Sequence, residues 1–180
     1  HVARLPGNLN GSLVKGENSL LKKAGIVQIN PAFAAGAEIP QQPPAPPSGD
    51  GNDGELRVTQ TNQIINVYTN LANDASAGAT SLNVASSANF NNGDEVLVFQ
   101  AQDAAGKAGT YEFKSSISIS GNTFSFSQPL QNSYDTTVTQ IIRVPNFTNV
   151  SVDDGKSITA PGWDGQTGGV IVFRALGNVS

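Results

Sequence analysis

The chain has 180 residues, of which 38% are hydrophobic and only 13% charged, and its net charge at pH 7 is −4. That length accommodates one domain, or one domain plus an extended arm, and supplies a core without disulfides or a structural metal. The acidic balance argues against nucleic acid as a partner, and no apolar run is long enough for a membrane-spanning helix.

Residues 1–39 are read as an extended N-terminal arm. It carries a short helix around Ser19–Lys23 and one candidate strand, Gly25, Ile26, Val27, Gln28 and Ile29. Charge is uneven: residues 1–24 carry a net +3 and the rest of the chain −7. A strand on a basic arm, held off an acidic body, is expected to complete the sheet edge of a second copy. Residues 40–54 form a linker whose proline half is extended and whose Gly/Asp half is flexible.

From residue 55 to 180 the pattern is strand after strand. The sharpest signal is Ser116–Ser127, in which Ile117, Ile119, Phe124 and Phe126 alternate with polar residues on either side of Gly121-Asn122. Period-two alternation flanking a Gly-Asn pair predicts a two-residue hairpin, with Ile119 opposite Phe124 and Ile117 opposite Phe126 on one buried face. Further strands are predicted at 55–59, 64–68, 81–85, 95–100, 110–114, 138–144, 149–152 and 169–174. Turns such as Asn91-Asn92-Gly93-Asp94 and Asp153-Asp154-Gly155 separate them. Short strands at this spacing predict an all-β fold, a β-sandwich or barrel-like domain. Asn149-Val150-Ser151 recurs as Asn178-Val179-Ser180, and the Gly-rich corners between them suggest that the domain leads into the start of a β-solenoid.

Chemistry is sparse. His1 is the lone histidine and there is no cysteine, which excludes Ser-His-Asp and Cys-His triads on a folded body and multi-histidine zinc or copper centres. Asp94, Glu95, Glu112, Asp153, Asp154 and Asp164 are the carboxylates available for glycoside hydrolysis, but most sit in turns, where Asp serves local backbone donors. The expectation is therefore no enzyme and no cofactor, with calcium the one candidate ion. Its ligands would be Asp50, Asn52 and Asp53 at one turn, and Asp153 and Asp154 at another. Trp163 and Tyr111 are candidate sugar-stacking residues. Asn10, Asn146, Asn149 and Asn178 stand in glycosylation sequons.

Several segments carry a family likeness: Gly109-Thr110-Tyr111-Glu112-Phe113, Leu130-Gln131-Asn132-Ser133-Tyr134, and Ala160-Pro161-Gly162-Trp163-Asp164-Gly165-Gln166-Thr167-Gly168-Gly169. Together they resemble the N-terminal β-rich module of large secreted bacterial adhesin-like surface proteins. The resemblance implies an extracellular, cell-surface location and a structural or adhesive role. Combined with the arm, it leads to the expectation of a subunit that self-associates into filaments. The alternatives are a carbohydrate- or surface-binding module with a surface polysaccharide as partner, and a polysaccharide-acting enzyme.

Overall fold

A computed structural model of the chain describes residues 49–102 and 106–180, all of which fall in the unit spanning residues 47–180. The arm, its candidate strand Gly25–Ile29 and the sequon at Asn10 lie outside the described residues. The described chain is all-β, without a helix, and combines a two-sheet sandwich with stacked parallel rungs. Among the described residues no closed barrel forms.

The first rung contains β1 (Leu56–Val58) and β2 (Gln63–Ile64). The chain then builds the sandwich from β3 (Tyr68–Asn70), β4 (Ser81–Asn83), β5 (Glu95–Gln100), β6 (Tyr111–Lys114), β7 (Ser118–Ser120), β8 (Thr123–Ser125) and β9 (Thr139–Val144). These make an antiparallel four-stranded sheet in the order β3-β9-β5-β6, facing a three-stranded sheet in the order β4-β8-β7. Afterwards the chain returns to the rungs with β10 (Asn146–Phe147), β11 (Val150–Val152), β12 (Ile158–Thr159) and β13 (Arg174–Ala175).

Every rung contact is parallel: β1 with β11, β2 with β12, and β10 with β13. Val150 pairs with Leu56 on one side and bridges to Val179 on the other. The repeated Asn-Val-Ser triplets thus lie in register on successive turns of a short solenoid. Asn149 completes the stack by accepting the backbone N–H of Asn178 at 3.0 Å. Rungs two and three are 29 residues apart, whereas rungs one and two are 94 apart, because the sandwich is inserted between them.

The hairpin forms as its alternation dictates. Ser120 pairs with Thr123 and Ile119 with Phe124. Gly121 takes φ 58°, which the first central position of a type II′ turn requires. Phe124 is fully buried beside Ile117 and Phe126, Ile119 packs against the same cluster, and the Phe90 ring lies 5.1 Å from that of Phe124.

Two predicted strands are altered by side chains that intercept the backbone. The run 64–68 is split, because the buried Asn66 amide donates to the carbonyls of Arg143 and Val172 and accepts the N–H of Val172. That staple bends the chain where it leaves the first rung. In the segment 169–174, Val170 and Val172 still point inward and Ile171 outward, yet only Arg174 enters a strand. The partners of this segment are Asn66 and the Tyr68 hydroxyl, which donates to the Val170 carbonyl at 2.6 Å, so no ladder is available to it.

An ion pair closes one edge of the sandwich. Lys114 Nζ lies 2.6 Å from Glu112 and donates to the Pro129 carbonyl, both side chains being nearly buried. Glu112 also accepts from the backbone of Gln131 and Asn132 and from the Tyr134 hydroxyl. Burial alone would push its carboxyl up, but these donors together hold it below the ordinary value. Burial, joined by the Glu112 charge, drives the Tyr134 hydroxyl strongly upward.

Two outcomes follow from this packing. Phe124→Ala should lose about 3–5 kcal/mol of stability in urea unfolding, the usual range for emptying a full aromatic site in a core. For Glu112, the lowered folded-state pKa means its stabilisation is complete above the unfolded carboxylate range and is lost as pH falls through the folded value. Glu112→Gln should therefore cost roughly 3–5 kcal/mol at neutral pH, because Lys114 is left buried and unpaired. It should also flatten the loss of stability that the parent shows on acidification below the carboxylate range.

Candidate functional site

The four-stranded sheet is apolar on both faces. Val96, Val98 and Ile141 face the smaller sheet, while Leu97, Ile142 and Val144 belong to a second cluster on the opposite side. Register sets out two cross-strand rows on that second face. One runs Tyr68, Ile142, Leu97, Phe113, and the other Asn70, Gln140, Phe99, Tyr111. Val170 and Val172 cover the middle of this face, but nothing described covers its β6 edge. There Tyr111 is 59% exposed and Phe113 37%. The two rings meet edge to face at 6.1 Å, which fixes them as one aromatic wall.

The uncovered area is a shallow hollow of about 320 Å³ lined by Leu97, Phe99, Tyr111, Phe113 and Val170. It adjoins a second hollow of about 210 Å³ whose lining includes Gln102, Gln140, Trp163 and Gly168. Phe99 and Val170 line both. Tyr111 and Trp163, singled out separately from the sequence, thus stand at opposite ends of one groove. Gln140 and Tyr111 are two strands apart in the same row, so the groove spans roughly 10 Å between them.

The Trp163 loop is held by its own backbone. Asp164 accepts the N–H groups of Gln166 at 2.8 Å and Thr167 at 2.7 Å, and the Gly169 N–H donates to the Pro161 carbonyl. The amides of Thr167 and Gln166 hold the Asp164 carboxyl below its usual value. Gln140 pins the loop to the sheet, donating from Nε2 to the Gly168 carbonyl and accepting the Gly168 N–H on Oε1. Gly168 has φ 104°, and a Cβ there would come within 2.6 Å of the Gly162 carbonyl oxygen. Only glycine fits.

Among the described residues, no charged side chain lines either hollow. The adjacent cation, Arg174, lies 4.8 Å from the Phe113 ring centroid and grips Glu95 through two contacts of 2.6 Å. Its guanidinium is raised further into the charged range, chiefly by Glu95.

The other residues singled out from the sequence are placed elsewhere. Asp53 pairs with Arg143 and accepts the Asn146 N–H at 2.7 Å, and Asp94 pairs with the same arginine. Asp50 accepts from Asn52 within one exposed turn. Asp153 forms a bidentate surface pair with Arg57, and Asp154 stays exposed on a turn. Among the described residues, no three His, Cys, Asp or Glu side chains are grouped to hold a metal ion. Asn146 is buried, with its amide donating to Glu95 and the Val144 carbonyl, whereas Asn149 and Asn178 are exposed. Sequence reasoning missed Phe99, Phe113, Gln140 and Val170. The alternation in Tyr111–Lys114 placed Tyr111 and Phe113 on one face, and the apolar run Val96–Phe99 required cover on two sides.

No family model matches the chain, and no curated protein does. Solved structures that are similar include three phage tailspikes. The gp61 tailspike of Pseudomonas phage phi297 is 18% identical with a TM-score of 0.41, the match covering 68% of this chain and 22% of the tailspike. The Gp54 tailspike of Acinetobacter baumannii bacteriophage AP22, solved in complex with A. baumannii capsular saccharide, is 16% identical with a TM-score of 0.40, covering 75% and 28%. Tailspike gp49 of Pseudomonas phage LKA1 is 17% identical with a TM-score of 0.37, covering 57% and 23%. The chain spans about a quarter of the length of the tailspikes it matches. With tailspikes among its similar solved structures, the reading of the chain as a non-enzyme is withdrawn.

Proposed function

We propose that the chain is a saccharide-binding module of an extracellular, surface-engaging protein, and that its site is the groove between Tyr111 and Trp163. The observation that carries this reading is the placement of those two side chains, 52 residues apart in the sequence, on two adjoining hollows that share Phe99 and Val170. Aromatic faces at the two ends of the groove offer CH–π contact to pyranose rings, and at Tyr111 the entropic cost is low because the ring is already held edge to face by Phe113. Gln140 and Gly168 act as positioning residues by holding the Trp163 loop to the sheet.

Calorimetric titration with bacterial surface polysaccharide fragments tests the reading. Trp163→Ala and Tyr111→Ala should each weaken binding about tenfold, in line with one lost aromatic contact, while leaving the melting temperature within a few degrees. Gly168→Ala should weaken binding as much as Trp163→Ala does, through displacement of the loop. Unchanged affinity in the Tyr111→Ala, Trp163→Ala double variant would refute the groove as the site.

A further inference from the structure

Resting on the saccharide-binding reading, we infer that the groove selects a neutral sugar presenting a methyl group, of the 6-deoxy or N-acetyl type, over acidic or fully hydroxylated sugars. The two hollows differ in chemistry. The one at Tyr111 is carbon on every side apart from the tyrosine hydroxyl, its other lining residues being Leu97, Phe99, Phe113 and Val170. A sugar hydroxyl placed there gives up its water and gains no partner in return. A methyl group placed there is removed from water against four apolar side chains, which is favourable. The Trp163 hollow is different, since the exposed Gln102 brings an amide to its wall. It suits the hydroxylated ring next to the methyl-bearing one.

Charge points the same way. Moving a carboxylate into the groove requires a cation to offset its desolvation, and none among the described residues lines it. Arg174, the cation beside Phe113, is committed to Glu95 by both of its 2.6 Å contacts. Recruiting it to an acidic sugar would leave Glu95 nearly buried and without that partner.

Saturation-transfer NMR on the full chain tests this with free monosaccharides, which carry no aglycone methyl and differ at one carbon. The 6-deoxyhexose, the hexose and the hexuronate are compared in each of the gluco, manno and galacto series, with the matching N-acetylhexosamines alongside. The inference predicts the strongest transfer to the C6 or acetyl methyl protons. In at least one series the deoxy sugar should bind about tenfold more tightly than the hexose, the scale on which an apolar pocket discriminates one such group. The hexuronate should be weakest, and the order should not change with salt. Replacing Tyr111 and Phe113 together by Ala should abolish the methyl preference while Trp163-dependent transfer persists. Salt-sensitive preference for the hexuronate would overturn the inferred class and leave saccharide binding standing. Absence of transfer in every series would overturn the saccharide reading itself. A concentration-dependent dimer that Tyr111→Ala converts to monomer would also overturn both, by identifying the groove as a contact between copies.

Discussion

The architecture depends on one sheet that has to be covered on both faces. β5 and β9, Glu95–Gln100 and Thr139–Val144, are buried at nearly every position, and they pair along their full length at the centre of the four-stranded sheet. Strands of this kind, apolar on both sides, are stable only as an inner layer. The β4-β8-β7 sheet satisfies one face completely. Among the described residues, the other is covered by the extended segment carrying Val170 and Val172, which is narrower than the sheet beneath it. The groove is the part of the second face that no described segment reaches, and its aromatic lining is sheet surface that the described residues leave uncovered.

The covering segment is placed by the solenoid rather than by a ladder of its own. Successive rungs fix where the chain enters and leaves the sheet, and charged pairs lock the junction. Asp53 of the first rung meets Arg143 of β9, while Glu95 of β5 meets Arg174 of the third rung. Partial burial makes each of these groups costly to leave unpaired. Asn66 contributes in a similar manner. Its buried amide joins the exit from the first rung to the backbone of both β9 and the covering segment. The geometry of the groove between Tyr111 and Trp163 therefore depends on a covering segment that the rungs stacked at Leu56, Val150 and Val179 hold in place.

Local features of this structure were legible in the sequence and non-local ones were not. Gly121-Asn122 and the alternation around it determined a hairpin because turn chemistry and side-chain parity agree over twelve residues. Parallel pairing of Leu56 with Val150 was hidden, since no local signal links residues 94 positions apart across an inserted domain. The repeat of Asn149-Val150-Ser151 at Asn178 was visible and marked the one rung contact without an insertion. Asp53 and Asp153 looked like cation ligands because turn aspartates are common to both roles, and only the tertiary structure brings Arg143 and Arg57 to them. Trp163 and Tyr111 were recognisable as candidate sugar-stacking aromatics, and of the two only Tyr111 is largely exposed. Their convergence required Gln140, a polar residue in an apolar strand whose purpose is to grip Gly168 across 28 residues of chain.

Trp163 is the sole tryptophan of the chain, so its emission reports on one end of the groove without labels. The most direct test of the account is a fluorescence titration of the full chain with a saccharide that calorimetry shows to bind. If the uncovered second face is the site, Trp163 emission must shift to shorter wavelength with the same midpoint as the calorimetric curve, and Tyr111→Ala must move that midpoint to higher concentration. Calorimetric binding that leaves Trp163 emission unchanged would contradict the account, because the sugar would then lie elsewhere on the protein.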